Sequence, residues 1–258
     1  MSDLDASQFY TGLVAELYEP LVSELARADQ YIPFIERSGQ PSLELGCGSG
    51  IPMLELIQRG YEVEGLDASA AMLARCRDKA EKLGLKVILH HQQMQRLDLP
   101  RLYPAIFLAG ATFTLLTSDA DARETIQGIY RHLEPGGSVL IPLRIPEVES
   151  IRKQIGRFRE TRVDDGPLLR VGVVDAEFDT ERRHSRIRLR YERVQADGTI
   201  DWLERDWLGS WWTQAMFRQM LLESGFATIT ILDPDGGKAD PEASVFVFLA
   251  QKGGGSET

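Results

Sequence analysis

Residues 43–50 read Leu-Glu-Leu-Gly-Cys-Gly-Ser-Gly, three glycines at alternate positions directly after a short apolar run. Glycine lets a chain reverse tightly and pass close to a ligand where a Cβ would collide. The run at 42–45 is short enough for a buried strand. Residues 52–59 read as a helix, with a proline in the first turn and Gly60 beyond the end. The same alternation continues. Residues 61–66 predict a strand, and 69–83 a helix capped by Ser69 and closed by Gly84. Strands at 86–90 and 105–109 follow, then a helix at 121–133 that stops at Pro135-Gly136-Gly137, and an apolar strand at 138–143. Strands and helices alternating at this spacing predict a parallel sheet covered on both faces.

The flanks differ. Residues 9–36 read as helical through Leu13, Leu17, Leu21, Val22 and Leu25, with a break at Pro20. Beyond residue 149 the period changes to two. Ile187, Leu189 and Tyr191 alternate with Arg186, Arg188 and Arg190, which marks a half-buried strand. Asp197-Gly198 is a hairpin signal, and 168–178 and 199–208 are antiparallel partners for this strand. A helix at 213–223 and strands at 228–232 and 244–250 complete the chain. The expected organisation is one α/β domain over 1–258, with a helical cap at 1–40, an inserted meander at 149–210 and a flexible tail at 252–258.

Composition narrows the functions. Of 258 residues 43% are apolar and 26% charged, as in soluble domains, and no apolar run approaches the roughly 18 residues of a membrane span. The first residues lack a secretory layout, and two cysteines, Cys47 and Cys76, make no disulfide framework, so a cytoplasmic setting is expected. With 29 basic and 39 acidic residues the net charge is −10, the wrong sign for gripping phosphate backbones, so no nucleic-acid partner is expected. His132 and His184 have no metal-ligand spacing around them, so no metal is expected. His90 and His91 end a strand and read as structural before catalytic.

The turn's chemistry is more specific. Asp67 ends the second strand about twenty residues on, where a carboxylate can accept both hydroxyls of a ribose. Gly50 follows Gly48 by two positions, not the three of a dinucleotide fingerprint, and no Gly-Lys-Ser/Thr follows for a P-loop. Glu44 suits a cationic ligand better than a pyrophosphate. With these residues placed, 43–50 resembles the first motif of class I S-adenosylmethionine-dependent methyltransferases. Gly65-Leu66-Asp67-Ala68-Ser69 with Met72-Leu73 resembles their second motif. Residues 131–137 resemble the turn before their fifth strand, and Leu222-Glu223-Ser224-Gly225-Phe226 the approach to the sixth.

The resemblance implies a Rossmann-like seven-stranded sheet, mostly parallel with an antiparallel last strand, and S-adenosylmethionine as cofactor with S-adenosylhomocysteine as product. It implies that Gly46, Cys47 and Gly48 pass beneath the methionine portion, that Asp67 holds the ribose, and that Ala68 and Met72 enclose the adenine. Gln93 stands where an acidic residue usually reads the adenine amine, its amide oxygen still able to accept, and Met94 offers a backbone N–H. Glu44, Ala109 and Tyr18 complete the expected cofactor set. Packing roles remain open for Cys47 and Met72. The family's usual Asp at the fourth strand is replaced by Pro104-Ala105.

The acceptor pocket is expected from the loop after the fourth strand (Thr112, Phe113), Arg144 at the end of the fifth, Tyr10 of the cap and the meander, with Trp202 and Trp212 as walls. Ala109-Gly110-Ala111-Thr112 replaces the Asn-Pro-Pro-Tyr type clamp for amide or adenine nitrogens. The meander is similar to the cover of small-molecule enzymes such as amino-sugar N-methyltransferases. The expected reaction is therefore direct methyl transfer to a nitrogen or oxygen of a small molecule, by a monomer or homodimer. An RNA or protein methyltransferase, or a cofactor-binding protein without transfer activity, are the alternatives.

Overall fold

The structure, a computed structural model, describes residues 10–15, 17, 27–162 and 166–254. Its main sheet has seven strands in the order β3-β2-β1-β4-β5-β11-β10. These are β1 (Ser42–Leu45), β2 (Val63–Asp67), β3 (Leu89–His91), β4 (Tyr103–Leu108), β5 (Leu133–Arg144), β10 (Phe226–Leu232) and β11 (Val245–Lys252). Pairing is parallel from β3 to β5, and β11 runs antiparallel to both β5 and β10. The expected fold class holds.

Side-chain alternation on the strands makes two cores. On one face Leu43, Leu45, Ile106, Leu108 and Ile141 pack against α4 (Asp119–His132) and α6 (Gln214–Glu223). On the other, Ala105 and Phe107 meet α1 (Ile32–Ser38), α2 (Met53–Gln58) and α3 (Ala70–Lys82). Ser69 caps α3, its Oγ accepting from the Met72 N–H, and Ser118 caps α4 in the same way through Asp121. Gly65 is where the second core closes on the sheet. A Cβ there would stand 2.6 Å from Met53 Sδ and 2.7 Å from Cys47 Sγ.

Three expectations shift. The third strand is confined to Leu89–His91 rather than 86–90. Pro135-Gly136-Gly137 does not separate helix from strand, because β5 begins at Leu133 and carries the turn as an irregularity in its pairing with β4. The reason is remote in sequence. Gly136 N–H donates to the Gly253 carbonyl, and Lys252 Nζ donates to the carbonyls of Tyr130 and Leu133. Lys252 thus closes β11 instead of opening a tail; residues 255–258 lie outside the described residues. Of the expected cap, the described parts are a helical turn at 12–15, a 3-10 turn at Ala28–Gln30 and α1. The break at Pro20 falls outside them.

After β5 the chain forms α5 (Val148–Arg152) and a second, four-stranded antiparallel sheet, β6 (Phe158–Arg162), β7 (Leu168–Asp179), β8 (His184–Val194) and β9 (Ile200–Ser210). β6 has no counterpart in the sequence reading. The apolar face of this sheet (Leu169, Leu189, Tyr191) packs on Val14 and Leu17 of the N-terminal segment. On the opposite face Arg188 bonds Asp206, and Arg190 bonds Glu204. Such partly exposed cross-strand pairs contribute little each. A second tie is firmer in geometry: Asp119, opening α4, accepts from Arg183 Nη2 and from Trp212 Nε1.

Gly65→Ala is expected to destabilise the fold by about 1–3 kcal/mol through overpacking against Met53 and Cys47. Urea unfolding followed by circular dichroism measures it. An unchanged midpoint would contradict the packing described.

Candidate functional site

The glycine turn is held from below. Gly46 and Cys47 N–H groups both donate to the Leu66 carbonyl at the end of β2, so β1 and β2 terminate as one unit. Gly46 has φ +74°, and a Cβ on it would lie 2.3 Å from Thr112 Cγ2, so any side chain here is strained and must displace Thr112. Asp67 then joins the two strand ends. Its Oδ2 accepts from Gly48 N–H at 2.9 Å and its Oδ1 from Ser69 N–H at 2.7 Å. Burial raises the Asp67 pKa, and these two N–H groups oppose the rise.

Beneath the turn lies Glu44, fully buried, with no close hydrogen bond to either oxygen among the described residues beyond a weak approach of the Met53 N–H. It sits between Gly65 of β2 and Phe107 of β4 in register. Burial first, then the negative Asp67, push its pKa well up, and the Met53 backbone N–H pulls the other way. A buried carboxylate without a partner is unfavourable unless protonated or faced by a cation.

The turn opens on a cavity of about 610 Å³ at the carboxyl ends of the parallel strands. Of the expected cofactor residues, Gly46, Asp67, Ala68, Gln93 and Met94 line it. Gly48 and Met72 stand directly behind, a Cβ on Gly48 meeting Met72 Cε at 3.4 Å. Cys47, 1% exposed, and Ala109 are packed in the core beneath. Burial and the charges of Glu44 and Asp67 raise the Cys47 thiol pKa, which suits a packing residue rather than a nucleophile. Tyr18 lies outside the described residues. His91 Nε2 meets the Ala68 carbonyl and His90 Nε2 meets Glu64, so both histidines serve structure.

The acceptor set divides. Tyr10 and Thr112 line the cavity, and Ser69 Oγ donates to the Tyr10 carbonyl. Phe113 and Trp212 do not: both are core residues, stacked edge-on with each other and with Phe217 nearby. Arg144 is exposed at the end of β5 and does not line the cavity. Trp202 is 57% exposed, with the Arg190 guanidinium over its ring on the charged face of the second sheet. The tryptophan that reaches the cavity is Trp207, beside His184, Ser185, Asp206 and Leu208. Sequence alternation held that signal, because residues 202 and 207 are an odd number apart and so face opposite sides of a strand. Asp121 and Arg96, also lining, had no sequence signal.

A cleft at the carboxyl ends of parallel strands, with a carboxylate in its wall, is where open α/β sheets take their ligands. Comparison with known proteins is more specific. Residues 43–137 match the family model described as "Methyltransferase domain". The chain is 28% identical over 150 residues to a glycine/sarcosine N-methyltransferase of Halorhodospira halochloris, covering 55% of this chain and 56% of that one. It is 28% identical over 148 residues to the dTDP-3-amino-3,6-dideoxy-alpha-D-glucopyranose N,N-dimethyltransferase of Streptomyces fradiae, covering 54% and 56%. The chain therefore spans just over half the length of these curated relatives. Among solved structures, an S-adenosylmethionine-dependent methyltransferase from Clostridium acetobutylicum superposes with a TM-score of 0.74 at 15% identity, over 93% of this chain and 98% of that one. Residues 43–137 thus resemble a methyltransferase domain, and the chain shares the fold of that solved methyltransferase.

Asp67→Ala removes an acceptor from the cavity and two bonds from the turn. It is expected to weaken S-adenosylmethionine and S-adenosylhomocysteine alike, by about tenfold or more in calorimetry, a loss of about 1.4 kcal/mol or more. Gly46→Ala is expected to abolish measurable binding of both while the far-UV spectrum is retained; wild-type affinity in either variant would contradict the assignment of the turn.

Proposed function

We propose that this chain is an S-adenosylmethionine-dependent methyltransferase that acts on a nitrogen or oxygen of a small molecule in the cytoplasm. The observation that carries the reading is that one cavity joins Gly46 and Asp67 to a second wall from the inserted sheet. The named likenesses support it, since two of the relatives are N-methyltransferases of a small amino acid and an amino sugar. Glu44 and Asp67 fit a cofactor with ribose hydroxyls and a positively charged sulfur. When bound, that cofactor supplies a methyl carbon made electrophilic by the sulfonium.

The residues of the chain have the remaining work. Asp67 accepts the ribose hydroxyls, Ala68 and Met72 enclose the adenine, and Gln93 and Met94 present an amide oxygen and a backbone N–H to its edge. The inserted sheet orients the acceptor against Trp207 and shields the site from water. Orientation and exclusion of water supply much of the rate in such displacements. Among the described residues no helix is long and apolar enough to cross a membrane.

Incubation with methyl-labelled S-adenosylmethionine, a pool of amine- and hydroxyl-bearing metabolites and, separately, total RNA tests the proposal. Label is expected in a small molecule only. Label confined to RNA, or in neither with the cofactor bound, would remove the small-acceptor reading.

A further inference from the structure

The cavity wall supplied by the inserted sheet begins at His184, which no part of the reading above employs. Titratable groups lining the cavity are Tyr10, Asp67, Arg96, Asp121, His184 and Asp206. Most have other engagements. Asp67 is tied to two backbone N–H groups. Asp121 Oδ2 accepts from the Ser118 hydroxyl in the cap of α4. Asp206 accepts from Arg188 Nε at 2.7 Å, and that guanidinium, aided by Arg186, lowers its pKa, so it is a poor proton acceptor near neutrality. Arg96 is a cation, and a neutral phenol such as Tyr10 takes up protons poorly. Imidazole is the side chain whose charge changes between pH 5 and 8.

A second observation concerns its mounting. Arg183, the residue before it, is the one non-glycine among the described residues with positive φ, +59°. Its Nη2 donates to both oxygens of Asp119, at 2.9 and 2.8 Å, and its carbonyl accepts from the Trp211 N–H. Trp212 Nε1 holds Asp119 from the core side at 2.7 Å. A backbone conformation that side chains rarely adopt is thus fixed at both ends beside the cavity, as happens where a position is over-determined for function.

We propose that His184 is the proton acceptor for the methyl acceptor's nucleophile, with Arg183 and Asp119 as its positioning residues. This rests on the methyltransferase reading. The acceptor's lone pair forms the new carbon–nitrogen or carbon–oxygen bond. The methyl–sulfur bond breaks with its electrons left on sulfur, and the displaced N–H or O–H proton passes to the free ring nitrogen of His184 and then to solvent. The charged groups on the elements nearby are Asp179, its register partner on β7, Asp206 on β9, Asp119 and Asp121 on α4, Arg96 in the cavity lining, Arg183 immediately before its strand and Arg186 on it.

The protein is labelled with carbon-13 at histidine Cε1, and the four histidine signals are titrated by NMR in the S-adenosylmethionine and S-adenosylhomocysteine complexes, with His184→Gln identifying the signal. A ring facing the sulfonium is expected to titrate at lower pH with S-adenosylmethionine than with the uncharged product, by about 0.3 units or more. Label transfer to the metabolite pool is expected to rise with pH through the neutral range, as neutral imidazole is needed. His184→Gln should lose that rise and at least about tenfold in rate, with its melting temperature kept. Arg183→Ala should keep the rise with a lowered rate. A common titration midpoint in the two complexes, or wild-type rate and pH profile in His184→Gln, overturns the proposal. If calorimetry shows that neither ligand binds, the methyltransferase reading has failed first, and this assignment falls with it.

Discussion

The hydrogen bond from Gly48 N–H to the Asp67 carboxylate is the contact on which the site depends. It spans two strand ends that are adjacent in space and about twenty residues apart in sequence. Without it the glycine turn would have no fixed relation to the end of β2, and Asp67 no fixed direction. The turn itself hangs from the Leu66 carbonyl, so the last peptide of β2 and its next side chain set the same loop. Parallel register does the rest: β1 lies between β2 and β4, which brings Thr112, just beyond β4, against Gly46.

The proposed preference of the turn for a cationic ligand has an electrostatic basis. Burial raises the cost of ionising both Glu44 and Asp67, and the charge of Asp67 adds to it for Glu44. A phosphate brought to the same loop would add negative charge beside these acids at low dielectric, where Coulomb repulsion is weakly screened. A hydroxyl-rich ligand with a positive centre reverses the sign.

Much of this was legible in the sequence because it is local. Glycine spacing, the position of Asp67 and the caps of α3 and α4 depend on residues a few positions apart, and the strand–helix alternation carried the sheet. The inserted sheet was legible as strands but not as a wall. Whether Trp202 or Trp207 meets the cavity depends on which face docks, and that is set by Val14, Leu17 and the Asp119–Arg183–Trp212 tie, all distant in sequence. Phe113 and Trp212 mislead for a related reason: large rings near a loop fill the core between α4 and α6 before they reach a ligand. The run through Pro135-Gly136-Gly137 stays in β5 because partners from residues 251–253 hold it, and local turn chemistry contains no trace of them.

A structure determined with S-adenosylhomocysteine bound tests the account most directly. It is predicted to place both ribose hydroxyls on Asp67, the amino acid portion over the Gly46–Gly48 turn, and the sulfur facing the space between Thr112 and Trp207. Density for the ligand elsewhere, or a turn that excludes it while admitting NADH, would contradict the claim that this loop is shaped for a sulfonium nucleoside.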